Sequence, residues 1–345
     1  MKGRAGQLIV SLLVGGVCLY FAFRNAPIDA TWADIADVPA VYHVGYVALV
    51  LLQFVLRSKR WAIQAEGISG QRIPLREAVG INAVAFAAVF LLPFRLGEFV
   101  RPYLVSQRKI MTASEGLANS VVERIVDGLL TTAFFGVVLV LLKDQNFPSY
   151  VSTAGWLGLL VFGGASIFFA IAYLRRGLSL RLLRLMTRPI HPKLEQLVVR
   201  IVEGFLDGLD CFKGAGAVLG YVGLSAAYWI LNGFAVWLML RGLGVEHDVL
   251  AGYFAVSFMV IAVMIPAPPG NIGNFHFFTK QALVLLGIAE TTALAAAVIL
   301  HGWQVIALLV WSGAFIAIGD ISLARVRDAT RQPDGNEEPS PVDAT

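Results

Sequence analysis

The sequence predicts an all-α integral membrane protein, and three observations carry that prediction. The chain is 57% hydrophobic and only 14% charged, where a soluble domain carries about 25% charged residues. Several apolar runs approach or exceed the ~20 residues that cross a bilayer as a helix. Barrel-type alternation is absent, which leaves helices as the spanning element.

A first helix is expected over 7–23. Lys2 and Arg4 precede it, as in a signal peptide, but the apolar run is long and Arg24, Asn25 and Ala26 follow without a small-x-small cleavage site, so it reads as retained. A second span is expected over 39–57, ending at Arg57, Lys59 and Arg60. A connector with Arg72 and Arg76 leads to a broken segment, 77–108. Its apolar run, Ala78 to Leu92, is too short to cross comfortably, and Pro93 and Gly97 interrupt it. Spans over 114–142 and 152–173 follow.

Region 174–215 is the most basic, with eight Lys and Arg against four Asp and Glu. Its apolar residues, from Leu194 to Leu209, recur at i, i+3, i+4 and i+7, the mark of an amphipathic helix on the membrane surface or under the bundle. A span over 216–240, a second broken segment over 249–288 and a last helix over 291–318 complete the count. Residues 1–320 then form one polytopic domain, and 321–345 a disordered polar tail.

The broken segments share a skeleton. Pro93-x-x-x-Gly97-x-Phe99 is matched by Pro269-x-x-x-Gly273-x-Phe275, with Gly270 a further break in the second. Placing both termini in the cytoplasm puts nearly every Lys and Arg outside the membrane on that side, as the positive-inside rule requires. Three spans separate the broken segments, so as re-entrant hairpins they enter from opposite faces. The expected architecture is therefore six spanning helices and two opposed re-entrant hairpins in an inverted repeat, which secondary transporters use to build a midplane site.

A charge at the bilayer centre costs roughly 2.5 to 3.5 kcal/mol on insertion scales. The chain nonetheless places Arg95, Glu98 and Arg101 in the first hairpin and Glu123, Arg124 and Asp127 about ten residues into the next helix. Two readings share these residues: an internal salt-bridge cluster such as Arg95–Glu123 or Arg124–Glu98, and a cavity whose arginines hold an anionic group, phosphate above all. The second hairpin is uncharged at its tip. Its broken backbone offers free N–H groups, and Asn271, Asn274 and His276, with His301 on the last helix, add donors. The asparagines could equally cap the restarted helix, and the histidines could be ordinary interior ones.

Enzyme signatures are weak. No Cys/His metal spacing, P-loop or dinucleotide fingerprint occurs, so neither metal nor cofactor is expected. Cys18 and Cys211 are expected to be unpaired, and Gly15-Gly16 and Gly163-Gly164 to be helix-packing glycines.

Three stretches suggest a family: Leu92 to Pro102, Ser120 to Asp127, and Pro268 to Gly273. Together they resemble the transmembrane domain of lysylphosphatidylglycerol synthase/flippase proteins, the membrane half of the multiple peptide resistance factor, over about residues 5–320. The resemblance implies a stand-alone member in a bacterial cytoplasmic (inner) membrane, without the soluble synthase domain, since only about twenty-five polar residues follow the last helix. It implies a lipid-translocation role, with the family's charged motifs on Arg95, Glu98, Arg101, Glu123, Arg124 and Asp127. The second motif carries Asn274 where the first carries Glu98.

The expected function is thus a flippase, not an enzyme. It would move an anionic or phosphate-bearing headgroup, of a phospholipid or polyprenyl-phosphate-type lipid, between the hairpins. Membrane lipids are the expected partners, with a lipid-modifying enzyme as a further one and nucleic acid excluded. The alternatives are a membrane-embedded enzyme using Glu123 or Asp127 as acid/base, and a non-transporting scaffold for a lipid-modifying partner docked on 174–215. Neither the lipid nor the oligomeric state is readable.

Overall fold

In the computed structural model every regular element is a helix among the described residues, which are 2–318 without 93–96, 144, 146, 188–194, 197, 200–201, 204–205, 208–210, 213 and 263–267. The chain runs α1 (Lys2–Phe23), α2 (Ile28–Ala36), α3 (Ala40–Ser69), α4 (Leu75–Leu91), α5 (Val100–Gln107), α6 (Ala113–Leu141), α7 (Ser149–Leu174) and α8 (Arg176–Thr187). It continues through α9 (Ala215–Gly242), α10 (Leu250–Ala262), a 3₁₀ turn (Pro269–Asn271), α11 (Asn274–Leu285) and α12 (Glu290–Ala317). Five helices, α3, α6, α7, α9 and α12, are long and apolar enough to cross a membrane, and α1 adds the shorter apolar stretch Leu12–Phe23. This is a multi-pass, all-α membrane protein. The expected tail, 321–345, lies outside the described residues, as does much of the second helix of the 174–215 region.

Local sequence explains the helix ends. Pro39, Pro74 and Pro148 stand at the N-caps of α3, α4 and α7, where a missing N–H costs nothing. Thr112 and Glu115 close a capping box at the start of α6, with Glu115 N–H donating to Thr112 Oγ1 at 3.2 Å and Thr112 N–H to Glu115 Oε2 at 2.7 Å. Gly70, at φ 69°, ends α3 in the left-handed conformation.

That last boundary corrects an expectation. The second span does not end near residue 57; α3 continues to Ser69, so Arg57, Lys59 and Arg60 lie within it and Arg60 is fully buried. No helix breaker stands between Arg57 and Gly67, and partners on α6 neutralise the two arginines. A second difference is α2, a helix where only a loop is expected, held to α12 by Thr292 Oγ1 donating to Asp34 at 2.9 Å. Cys18 and Cys211 are not joined in a disulfide, as expected. Gly15 packs tightly, since a Cβ there would meet Pro268 at 2.3 Å, but among the described residues a Cβ on Gly16 or Gly164 would meet nothing within 4 Å and one on Gly163 only Leu159 of its own helix.

α4 and α5 form an antiparallel hairpin. Arg108, just past α5, donates to Glu77 at 2.6 Å near the start of α4; Arg101 donates to Asn82 at 3.0 Å. At the tip a Cβ on Gly97 would stand 2.0 Å from the backbone nitrogen of Val89, so the returning chain passes backbone to backbone. α10 and α11 likewise pack against each other, and α4 packs on the 3₁₀ turn between them.

Around the hairpins the packing has a regular plan. α3 and α9 lie side by side and antiparallel: Gly242 meets Tyr42, Gly45 meets Leu238, Asn232 bonds Gln53 and Arg60 bonds Ser225. α4 packs on α12 as α10 packs on α6; α3 touches α6 as α9 touches α12; α3 touches α12 as α9 touches α6. α7 stands outside this block, packed mainly on α6, where Phe162 fills the gap left by Gly128.

At the other end of α3, a Cβ on Gly67 would lie 1.7 Å from the carbonyl oxygen of Cys211, whose side chain is fully buried. Gly67→Val is therefore expected to push the 211–212 segment away. In a Cys18→Ser background, Cys211 should change from inert to reactive toward a membrane-impermeant maleimide; unchanged labelling would contradict this packing.

Candidate functional site

Glu123 is the centre of a buried charge cluster. It stands on α6 with 2% exposure and faces arginines from three directions. Arg57 Nε and Arg60 Nη2, one turn apart on α3, both donate to its Oε1 at 2.9 Å. Arg101 Nη1, from α5, lies 2.8 Å from its Oε2, an electrostatic contact without hydrogen-bond alignment. One turn on, Asp127 accepts from both Nη atoms of Arg60, at 3.0 Å on its Oδ2, and from Trp229 Nε1 at 3.0 Å. Arg60 Nη1 also donates to Ser225 Oγ at 3.1 Å. Arg101 completes its set with Asn82 and with Ser120 Oγ at 2.8 Å. Three guanidiniums against two carboxylates leave one positive charge in excess in this cluster.

The cluster forms one end of a cavity of about 510 Å³. Both hairpin tips contribute to it: Leu92 and Glu98 from the first, Pro268, Pro269, Gly270 and Asn271 from the second. Arg57, Arg124 and Asp127 bring charge to the wall, and Gln53 and Gln304 polarity. Phe86, Phe90, Phe162, Met259 and Leu308 make the rest apolar. Arg57 is held over the Phe86 ring, 3.8 Å from guanidinium carbon to ring centroid, with Tyr228 at 5.8 Å on another side. Such an arginine is stacked as well as paired, which fixes its planar fork without consuming all its donors. Arg124, half exposed, makes a long 3.5 Å pair with Glu98, its ion pair among the described residues.

The second tip is shaped by backbone. Gly270, Asn271 and Gly273 all have positive φ, 72°, 53° and 92°, conformations that glycine adopts freely and asparagine tolerates. His301 Nε2 lies 2.9 Å from the Gly270 carbonyl, which can only accept, so Nε2 carries the proton. Gly273 N–H donates to His276 Nδ1 at 3.4 Å. The two imidazoles stand edge to face, 4.8 Å apart. Both therefore brace the tip rather than line the cavity.

The expected site residues thus divide. Glu98, Arg124, Asp127 and Asn271 line the cavity with the breaks Pro269 and Gly270; Glu123 and Arg101 sit behind its wall. Of the two salt bridges expected, Arg124–Glu98 is formed; Arg95 and Pro93 fall outside the described residues. Asn274 is buried with neither side-chain atom partnered among the described residues, and it does not cap α11, whose N-cap is Gly273. Sequence reasoning missed Arg57 and Arg60, the chief partners of the α6 carboxylates. The available signal was their spacing of three in a run that lacks a breaker. Among the described residues no three His, Cys, Asp or Glu side chains converge as a metal site would require.

Comparison with known proteins places the chain. Residues 8–312 match the family described as the lysylphosphatidylglycerol synthase transmembrane region. The chain is 30% identical over 333 residues to a protein named glycosyltransferase AglD from Haloferax volcanii, covering 86% of this chain but 51% of that protein. It thus spans only about half that relative's length. It is also 20% identical over 210 residues to a UPF0104 membrane protein from Methanocaldococcus jannaschii, covering 61% of this chain and 84% of that one. No solved structure matches. The chain belongs to the lysylphosphatidylglycerol synthase transmembrane family.

Breaking a buried ion pair by removing one partner costs about 3–5 kcal/mol, whereas replacing both by apolar groups is often neutral. Glu123→Gln is therefore expected to lower the thermal midpoint of the purified protein clearly. The Arg60→Met/Glu123→Met pair should recover part of the loss. A Glu123→Gln midpoint equal to wild type would count against the cluster.

Proposed function

We propose that this family member is a flippase of the cytoplasmic (inner) membrane, with both termini in the cytoplasm, that moves an anionic or phosphate-bearing lipid headgroup through the cavity between the hairpin tips. One observation carries the reading. The cavity joins an arginine held in place but not saturated, Arg57, to a largely apolar wall. A whole lipid, with its charged headgroup and apolar chains, has that division of chemistry. The anion meets Arg57 and Arg124, and the surplus positive charge of the buried cluster favours it. The backbone of the second tip, with Asn271, completes the polar surface.

The helix plan supports alternating access. Gly273 follows Gly97 by 176 positions. The same shift carries the starts of α3, α4, α5 and α6 to within two residues of the starts of α9, α10, α11 and α12. The matching contacts and the antiparallel α3–α9 pair support reading the bundle as two copies of one four-helix unit in opposite orientation. In that reading the hairpins are re-entrant, one from each face, and rocking one unit on the other opens the site to either side.

The relative named a glycosyltransferase favours a second reading, an enzyme acting on a lipid-linked substrate. Against it, Glu123 and Asp127 are committed to arginines, which leaves neither as a ready acid or base. A new product in lipid extracts after overexpression would favour the enzyme.

In proteoliposomes the purified chain is expected to carry a labelled anionic phospholipid or polyprenyl phosphate across the bilayer. Arg57→Ala and Arg124→Ala should each slow it by ~10-fold or more, since each removes a charged contact to the headgroup. Absence of transport by the wild type, or wild-type rates in both variants, would sink the reading.

A further inference from the structure

Beneath the charge cluster lies a second polar layer that no lining of the cavity includes. Gln64 follows Arg60 by one turn on α3; Asn119 precedes Glu123 by one turn on α6; Tyr221 precedes Ser225 by one turn on α9. Arg60 bonds both Glu123 and Ser225, and its guanidinium stands 5.4 Å from the Tyr221 ring. The three side chains therefore share one level, about 6 Å from the ion pairs along the helices. All three are fully buried. Both amide atoms of Gln64, both of Asn119, the Tyr221 hydroxyl and Nε of Arg60 have no hydrogen-bond partner among the described residues.

The layer and the cavity lie on opposite sides of the Arg60–Glu123 pair. The α3 residues that line the cavity are Val50, Gln53, Phe54 and Arg57, all before Arg60. The α6 residues, Arg124, Asp127 and Gly128, all follow Glu123, and Tyr228 and Trp229 follow Ser225. On its far side the layer is closed by the 211–212 segment, where the Cys211 carbonyl abuts Gly67 and Phe212 packs edge-on against Tyr221 at 5.0 Å.

Buried polar groups this numerous are rarely left unpaired. Two amides and a phenol offer donors and acceptors in balance, which suits groups that do both, water and hydroxyls, rather than an ion of either sign. We propose that Gln64, Asn119, Tyr221 and Arg60 Nε enclose a buried water site, and that this site is the closed inner half of the headgroup path, sealed from the cavity by Arg60–Glu123 and from the cytoplasm by Cys211–Phe212. The second clause rests on the flippase reading; the first does not. When the seals part, the layer offers the hydroxyls of a lipid headgroup the partners that water holds before.

The test uses the full chain in lipid nanodiscs. Radiolytic hydroxyl-radical labelling marks side chains beside bound water even when bulk solvent cannot reach them. Tyr221 is expected to label ~10-fold faster than Tyr46, which is equally buried but bonded to the Leu300 carbonyl. The Gln64→Leu/Asn119→Leu pair should abolish that difference and lower the thermal midpoint. Equal labelling of the two tyrosines, or a midpoint raised by the leucines, means a dry layer and overturns the water site. In proteoliposomes the same pair should slow translocation ~10-fold or more, since it removes the layer's polar partners. An unchanged rate in a variant that has lost the Tyr221 labelling overturns the path assignment alone. A wild type that labels at Tyr221 but moves no lipid overturns the flippase reading and the path with it, and leaves the water site standing.

Discussion

The carboxylate of Glu123 is the constraint on which the rest of the structure turns. A lone carboxylate inside a helical bundle is expensive, and its neutralisation draws arginines from two other elements. Arg57 and Arg60 bring α3 against α6; Arg101 brings the returning arm of the first hairpin. Asp127 extends the same network to α9 through Trp229, and to Ser225 through Arg60. Three helices and one hairpin are thus registered by side chains that would be unfavourable singly. A mixed cluster of this kind fixes where each helix stops sliding as much as it stabilises the whole.

The two hairpins solve one problem with different means. Each must turn its chain inside a packed bundle. The first does so with a glycine pressed against backbone and with charge at its arms. The second uses three residues of positive φ, braced by histidines from α11 and α12. Gly97 and Gly273 both sit where the chain turns against neighbouring backbone, whereas the cavity-lining charge of the two tips, Glu98, comes from the first.

What the sequence made legible follows from range. Apolar spans are local or compositional signals, and most of them read correctly to within a few residues; α3, which continues to Ser69, is the exception. The α6 acids stood out because charge in an apolar run is conspicuous. Their partners did not. Arg57 and Arg60 sit where a basic cluster ordinarily marks the exit from the membrane, and only the approach of α6, more than sixty positions away, shows that they are interior. His301 shows the same limit: its partner is a backbone oxygen thirty-one positions off, which no side-chain pattern announces.

The placement of α7 has a mechanical consequence. This helix leans mainly on α6, keyed by one aromatic ring at Gly128, and that same ring faces the cavity. On this flank the cavity wall is a single element thick, and the element is bound on little more than one face. Regions with few buried contacts open first and at least cost. The compliant direction of the bundle is thus sideways, into hydrocarbon, while its stiff direction runs along the axis through interlocked charge. On the proposed flippase reading, a molecule with one polar end and long apolar tails would exploit such anisotropy, with the axis guarded and the flank yielding.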